Sequence, residues 1–75
     1  MKGIDLTKSV HELATTIPEF LDIMGTLGFD GMRHCVEENP HTKVITPLMA
    51  AANHGVEPSM IVKAFQDAGF TVINQ

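Results

Sequence analysis

The chain has 75 residues, of which 44% are hydrophobic and 19% are charged, and its formal net charge at pH 7 is −4. This composition excludes an intrinsically disordered chain. The five basic residues are scattered, which excludes a phosphate-binding patch, and the single cysteine excludes an intrachain disulfide. Since no long apolar run is present, a membrane span is excluded as well. With no signal-peptide pattern near the start, we expect one cytoplasmic domain over residues 1–75 that binds neither nucleic acid nor membrane.

The first half of the chain predicts an extended start and two helices. Residues 1–6 form a short extended segment, and Ser9 with Glu12 makes a capping box in front of the first helix. Pro18 separates this helix from the second, which Gly28 ends. The apolar stripes of the two helices recur at helical spacing: Val10, Leu13, Ala14 and Ile17, then Phe20, Ile23, Met24 and Leu27.

Residues 30–45 have the weakest pattern in the chain. Met32, Cys35 and Val36 have helical spacing and predict a short helix over about residues 30–37. The Asn39-Pro40 pair ends that helix, and we expect residues 41–44 to be a loop.

The second half of the chain has the same order of helix start and stop signals as the first half. Thr46 caps a helix that begins with Pro47, and Pro58 opens a last helix that Gly69 ends. Residues facing inward on these helices are expected to be Leu48, Ala51 and Ala52, then Ile61, Ala64, Phe65 and Ala68. The β-prone residues 71–73 either pair with residues 4–6 or pack as coil.

The sequence therefore predicts an all-α fold. We expect four to five short helices in an irregular array, arranged as two helical hairpins around one core. This prediction allows short extended segments at the two termini. The side chains expected to be largely buried are Leu13, Phe20, Ile23, Leu27, Leu48, Ile61 and Phe65.

Several segments together carry a resemblance to a known family. They are Ile4-Asp5-Leu6-Thr7-Lys8-Ser9-Val10, Glu12-Leu13, Pro18-Glu19, Leu27-Gly28-Phe29, Gly55-Val56 with Ser59, and Ala68-Gly69-Phe70. The chain resembles a small helical domain of bacteria and archaea, number eighteen fifty-eight of the domain-of-unknown-function series. That family occurs alone and fused ahead of hemerythrin-like and PAS sensor domains. The resemblance implies a helical fold and a redox- or iron-linked sensory context, and it implies no catalytic residue.

A related group, the redox-disulfide domain associated with hybrid-cluster proteins, has a Gly-Met-His-Cys motif followed by a second cysteine. Residues 31–36 are similar to this motif, but Arg33 is inserted and Glu37-Glu38 stand where the second cysteine would be. A dithiol–disulfide cycle within one chain is therefore excluded. The Asn-Thr-Val-Gly-Arg-like turn of the stand-alone family is also missing, and the loop here is longer.

Three neighbouring residues, His34, Cys35 and His41, form the candidate redox or ligand region. A thiol and two imidazoles are ligands that zinc favours, with His11, His54 or a carboxylate as a fourth, although the usual paired spacings are absent. The spacing of Cys35 with Met32 and Val36 favours instead a thiol buried as a small apolar group.

The sequence gives weaker support to two other functions, DNA recognition and acid–base catalysis. Residues 50–56 with the last helix resemble the apolar skeleton of a helix-turn-helix, but Lys63 and Asp67 cancel each other on the would-be recognition helix. The adjacent pairs His11-Glu12 and Glu37-Glu38 point in different directions on a helix and converge on no substrate.

We therefore expect a non-catalytic interaction or regulatory module that needs no cofactor. The alternative is a redox or metal accessory protein that acts through Cys35 and the nearby histidines. A protein partner or self-association is expected, with Met32, Met49 and Met60 as candidate contact residues.

Overall fold

The computed structural model describes residues 2–75, which form five short α-helices, one 3₁₀ turn and two strands. In chain order these are β1 (Lys2–Asp5), α1 (Val10–Thr16), α2 (Phe20–Thr26), α3 (Met32–Glu38), the 3₁₀ turn (Pro40–Lys43), α4 (Pro47–Asn53), α5 (Pro58–Asp67) and β2 (Phe70–Asn74). No helix among these residues is both long and apolar enough to cross a membrane. The fold is mostly helical, as the sequence predicts.

The all-α prediction is wrong in one respect, because the two ends of the chain form a small parallel sheet. Ile4 lies opposite Val72, and the N–H of Leu6 donates to the carbonyl of Asn74 at 2.9 Å. Of the two alternatives left open for residues 71–73, strand pairing is therefore correct. Parallel strands need a long crossover connection, and here all five helices supply it. Ile4 is only 1% exposed, so the sheet also adds to the core.

The helix boundaries follow the predicted caps. The hydroxyl of Ser9 accepts from the N–H of Glu12 at 3.1 Å, and the hydroxyl of Thr46 accepts from the N–H of Met49 at 3.2 Å. After α2 the chain reverses at Gly28, whose φ of +98° is a left-handed conformation that favours glycine. These contacts confirm the predicted helix starts and the glycine stop.

The core is a continuous cluster in which aromatic rings join the two helical hairpins. Phe20 of α2 stacks on Phe65 of α5 with ring centroids 5.6 Å apart, and Phe65 meets Phe70 of β2 edge to face at 5.7 Å. Among the predicted core residues, four are buried: Leu13, Phe20, Ile61 and Phe65. Three are only partly buried and pack against the cluster: Ile23, Leu27 and Leu48.

On α4 the predicted inward face is shifted by one position. Ala50 and Ala51 are buried, whereas Ala52 is exposed, so the prediction for Ala52 is wrong. The prediction for Ala68 is also wrong, because this residue follows the last turn of α5 and is exposed. Three consecutive alanines carry no periodic signal, and only the packing of α4 against α5 decides which of them faces inward.

Residues 41–44 were expected to be a loop, and that prediction is wrong because residues 40–43 form the 3₁₀ turn. The side chain of Asn39 accepts from the N–H of His41 at 2.9 Å, and the hydroxyl of Thr42 donates to the backbone carbonyl of Asn39 at 2.9 Å. The N–H of Val10 donates to the carbonyl of Ile45 at 2.8 Å, which fixes this segment to the start of α1.

The carboxylate of Asp5 links the end of β1 to the loop that follows and to β2. It accepts hydrogen bonds from the hydroxyl and the N–H of Thr7, and from the amide of Asn74 at 3.2 Å. These bonds, chiefly that of the Thr7 hydroxyl, hold the pKa of Asp5 below its ordinary value of 3.8. The carboxylate therefore stays ionised in the folded protein to a lower pH than in the unfolded chain.

Candidate functional site

A groove of about 500 Å³ opens between α3, the 3₁₀ turn and the end of α4. Its lining contains buried side chains that form a floor: Val10, Phe29, Thr42, Ile45 and Ala50. It also contains exposed polar side chains that form a rim: Cys35, Asn39, His41, Asn53 and His54. The remaining lining residues are Leu27, Gly28, Gly31, Met32 and Val56. We refer to the concavity lined by these floor, rim and remaining residues as the groove.

The turn after α2 creates one wall of the groove. Because Gly28 reverses the chain, the N–H of Phe29 reaches back to the carbonyl of Met24 at 3.2 Å and the ring of Phe29 enters the core. That ring meets the imidazole of His54 nearly edge to face, with centroids 5.5 Å apart and an angle of 84°. The contact holds the end of α4 against the end of α2.

The groove lining contains no aspartate, glutamate, lysine or arginine, although the chain has five lysines and arginines and nine aspartates and glutamates. Arg33 follows Met32 directly, but its guanidinium is paired with Asp22 at 3.2 Å. Glu37 and Glu38 line a second, smaller concavity and are not among the residues of the groove. The uncharged lining is therefore a property of this site and not of the chain as a whole.

The structure brings together part of the predicted redox or ligand region. Cys35 and His41 both line the groove, whereas His34 does not, and His54 joins them from α4. Cys35 is exposed, so the expectation of a buried thiol is wrong. The reason is that α3 has no buried residue, and Met32 and Val36 are only partly covered.

The described residues, 2–75, do not assemble the predicted metal ligands, since they contain no group of three histidine, cysteine, aspartate or glutamate side chains placed to hold an ion. The groove instead contains one thiol and two imidazoles on its exposed rim, beside an apolar lining. Such an arrangement suits hydrogen bonding and van der Waals contact with a bound molecule.

His11 belongs to a second, smaller concavity of about 240 Å³ with Glu37, Glu38 and Lys43. Its Nδ1 atom is buried and has no hydrogen-bond partner among the described residues. The neighbouring Glu12 carboxylate lies 3.0 Å from the Lys8 ammonium, so it is engaged on the outer surface of α1. The structure therefore places His11 and Glu12 in different surroundings, His11 in the second concavity and Glu12 beside Lys8.

Sequence reasoning missed the roles of Phe29 and Asn53 in this site. The Gly28-Phe29 pair is the signal that could have placed Phe29, because a glycine stop brings the next residue back onto the helix. For Asn53 no sequence signal exists, since only the packing of α4 turns it toward α3.

Comparison with models of known families, with curated proteins and with solved structures finds no match. The resemblance drawn from the sequence stays a prediction.

Proposed function

We propose that this chain is a non-catalytic interaction or regulatory module whose binding surface is the groove. The observation that carries the proposal is a single site that combines a buried apolar floor, an exposed hydrogen-bonding rim and no charge. Recognition sites for ligands and partners commonly have this composition, with apolar area for affinity and a few polar groups for orientation.

The same site offers little for catalysis. A cysteine or histidine that acts as nucleophile or base needs a neighbour that orients it, commonly a carboxylate or an asparagine amide. The amide oxygen of Asn39 in the lining already accepts from the backbone N–H of His41 at 2.9 Å. The lining residues include neither aspartate nor glutamate, and the imidazole of His54 rests edge-on against Phe29. We therefore propose binding and not turnover.

The resemblance supplies the biological context of the proposal. A domain that stands ahead of hemerythrin-like and PAS domains in other proteins suits a role in a redox- or iron-linked sensory system, through contact with a sensor protein or through self-association. The groove supports this role because it gives the domain a recognition surface independent of any cofactor of its own.

The experiment is a nuclear magnetic resonance titration of the ¹⁵N-labelled chain with a purified hemerythrin-like domain and, separately, a purified PAS domain. We expect at least one of them to shift the backbone signals of groove residues such as Phe29, Cys35 and His54. Asn53→Asp should weaken that binding, because it places a carboxylate in the uncharged lining. Shifts confined to residues outside the groove, or binding by neither domain, would contradict the proposal.

A second candidate function, a redox or metal accessory protein, is favoured by one observation. The exposed thiol of Cys35 shares the groove with His41 and His54. Its redox step would be a disulfide between two chains, in which two thiols lose two protons and two electrons to an oxidant such as a disulfide.

The rate at which iodoacetamide alkylates Cys35 separates the two functions. The interaction module predicts a rate close to that of free glutathione at the same pH, because the thiol is exposed and no lysine or arginine lines the groove. The redox function predicts a rate at least about tenfold faster than glutathione. Zinc binding in a one-to-one complex at micromolar concentration would favour the metal function.

A further inference from the structure

The charge of the groove restricts what it binds. None of the five basic and nine acidic side chains lines it. A carboxylate, phosphate or ammonium group that entered the groove would lose hydration and would meet no lysine, arginine, aspartate or glutamate side chain in the lining. The lining therefore selects for uncharged molecules.

The shape and the ring contacts restrict the ligand further. A volume of about 500 Å³ lies within the roughly 300–1,000 Å³ typical of small-molecule sites. The lining includes two residues with aromatic rings, Phe29 and His54, and two residues that contain sulfur, Met32 and Cys35. Aromatic rings and sulfur atoms both favour contact with the faces and edges of another ring.

The polar rim orients such a ligand. Asn53, His41 and His54 are exposed residues of the lining, and amide and imidazole groups donate and accept hydrogen bonds. A ring seated on the buried floor would direct a hydroxyl or carbonyl group outward to this rim.

From these observations we infer that the groove binds a small, uncharged aromatic molecule that carries a hydrogen-bonding group on its outward edge. This inference rests on the proposed function, since it names the ligand class of the same site.

Three naphthalene derivatives test the inference because they share one ring system and differ in charge: 2-naphthol, 2-naphthoate and 2-naphthylmethylammonium. Each is titrated into the ¹⁵N-labelled full chain at neutral pH. We expect 2-naphthol to shift the signals of groove residues with a dissociation constant at least about tenfold lower than that of either ion. Equal or tighter binding of an ion, shifts outside the groove, or no binding of 2-naphthol at about 1 mM would overturn the inference.

Two amide-to-carboxylate variants supply the matched control. Asn53→Asp places a negative charge in the groove, whereas Gln66→Glu places the same charge near the end of α5, on an exposed residue outside the lining. Asn53→Asp should weaken 2-naphthol and strengthen the ammonium probe, and Gln66→Glu should leave all three affinities unchanged. The same response in both variants would show that net charge, and not the groove, determines binding, and the inference would fail.

The outcomes also separate this inference from the proposed function. If a protein domain shifts the groove signals and 2-naphthol does not, the ligand class is wrong and the interaction module stands. If 2-naphthol binds and neither protein domain does, the ligand site stands and the proposed protein interaction fails.

Discussion

Truncation of Phe65 to alanine tests how the two helical hairpins are held together. Phe65 is fully buried, and its ring contacts Phe20 of α2 and Phe70 of β2 at centroid distances of 5.6 and 5.7 Å. The residue therefore joins α5 and the neighbouring β2 to α2, which lies in the first half of the sequence. Phe65→Ala removes all of these ring contacts and leaves a cavity in the centre of the core.

The expected loss of unfolding free energy is about 4–5 kcal/mol. Phenylalanine-to-alanine substitutions in cores cost about 3–5 kcal/mol, and two aromatic contacts, each worth about 0.5–1.5 kcal/mol, place this site near the upper end. A domain of 75 residues is stable by only about 4–11 kcal/mol, so the variant is expected to be marginally folded. Phe65→Leu retains most of the apolar volume and should lose only about 1–3 kcal/mol, mainly the ring contacts.

Urea denaturation followed by circular dichroism measures these losses, with Met60→Ala as the control. Met60 lies on the same helix but is 51% exposed, so its truncation should cost less than about 1 kcal/mol. If Phe65→Ala costs less than about 1 kcal/mol, or no more than Met60→Ala, then α5 is peripheral and the reasoning is refuted.

Three further predictions follow from the backbone, the termini and the surface. Gly28→Ala should lower the unfolding free energy by about 1–2 kcal/mol, because φ at Gly28 is +98°. Gly31→Ala should be nearly neutral, since φ is −80° and an added Cβ meets no atom within 4 Å; equal losses in urea denaturation would contradict this. The depressed pKa of Asp5 stabilises the folded state above the ordinary value of 3.8, and this contribution disappears as pH falls through the lower folded pKa. The fall in stability between about pH 5 and pH 3 should therefore be smaller in Asp5→Asn than in the parent chain, and equal falls would show that Asp5 does not contribute. We also predict weak self-association through Met49 and Met60, which are 50% and 51% exposed, and a strictly monomeric chain in light scattering at about 1 mM would count against it.

Features that depend on neighbouring residues could be predicted from the sequence. The hydroxyls of Ser9 and Thr46 cap their helices because the partner N–H lies three residues ahead in each case. Gly28 ends α2 because glycine accepts a left-handed backbone without a steric cost. The buried positions of Phe20 and Phe65 follow from helical spacing of apolar residues.

Residue types also indicated part of the candidate site. Cys35 and His41 stood out as chemically distinctive side chains in the weakest stretch of the pattern, and both line the groove. Their exposure could not be predicted, because the spacing of Cys35 with Met32 and Val36 is the same whether α3 packs deeply or lies at the periphery.

Tertiary structure alone decided the sheet and the groove. Ile4 and Val72 pair because the helices between them fold back and bring the two ends of the chain together. His41 and His54 line the same groove although one belongs to the 3₁₀ turn and the other follows α4, and only the folded chain brings them together. Local patterns determine where each helix begins, ends and turns its apolar face, because those choices depend on residues within a few positions. Which elements meet depends on the packing of the whole core, and no short stretch of sequence contains that information.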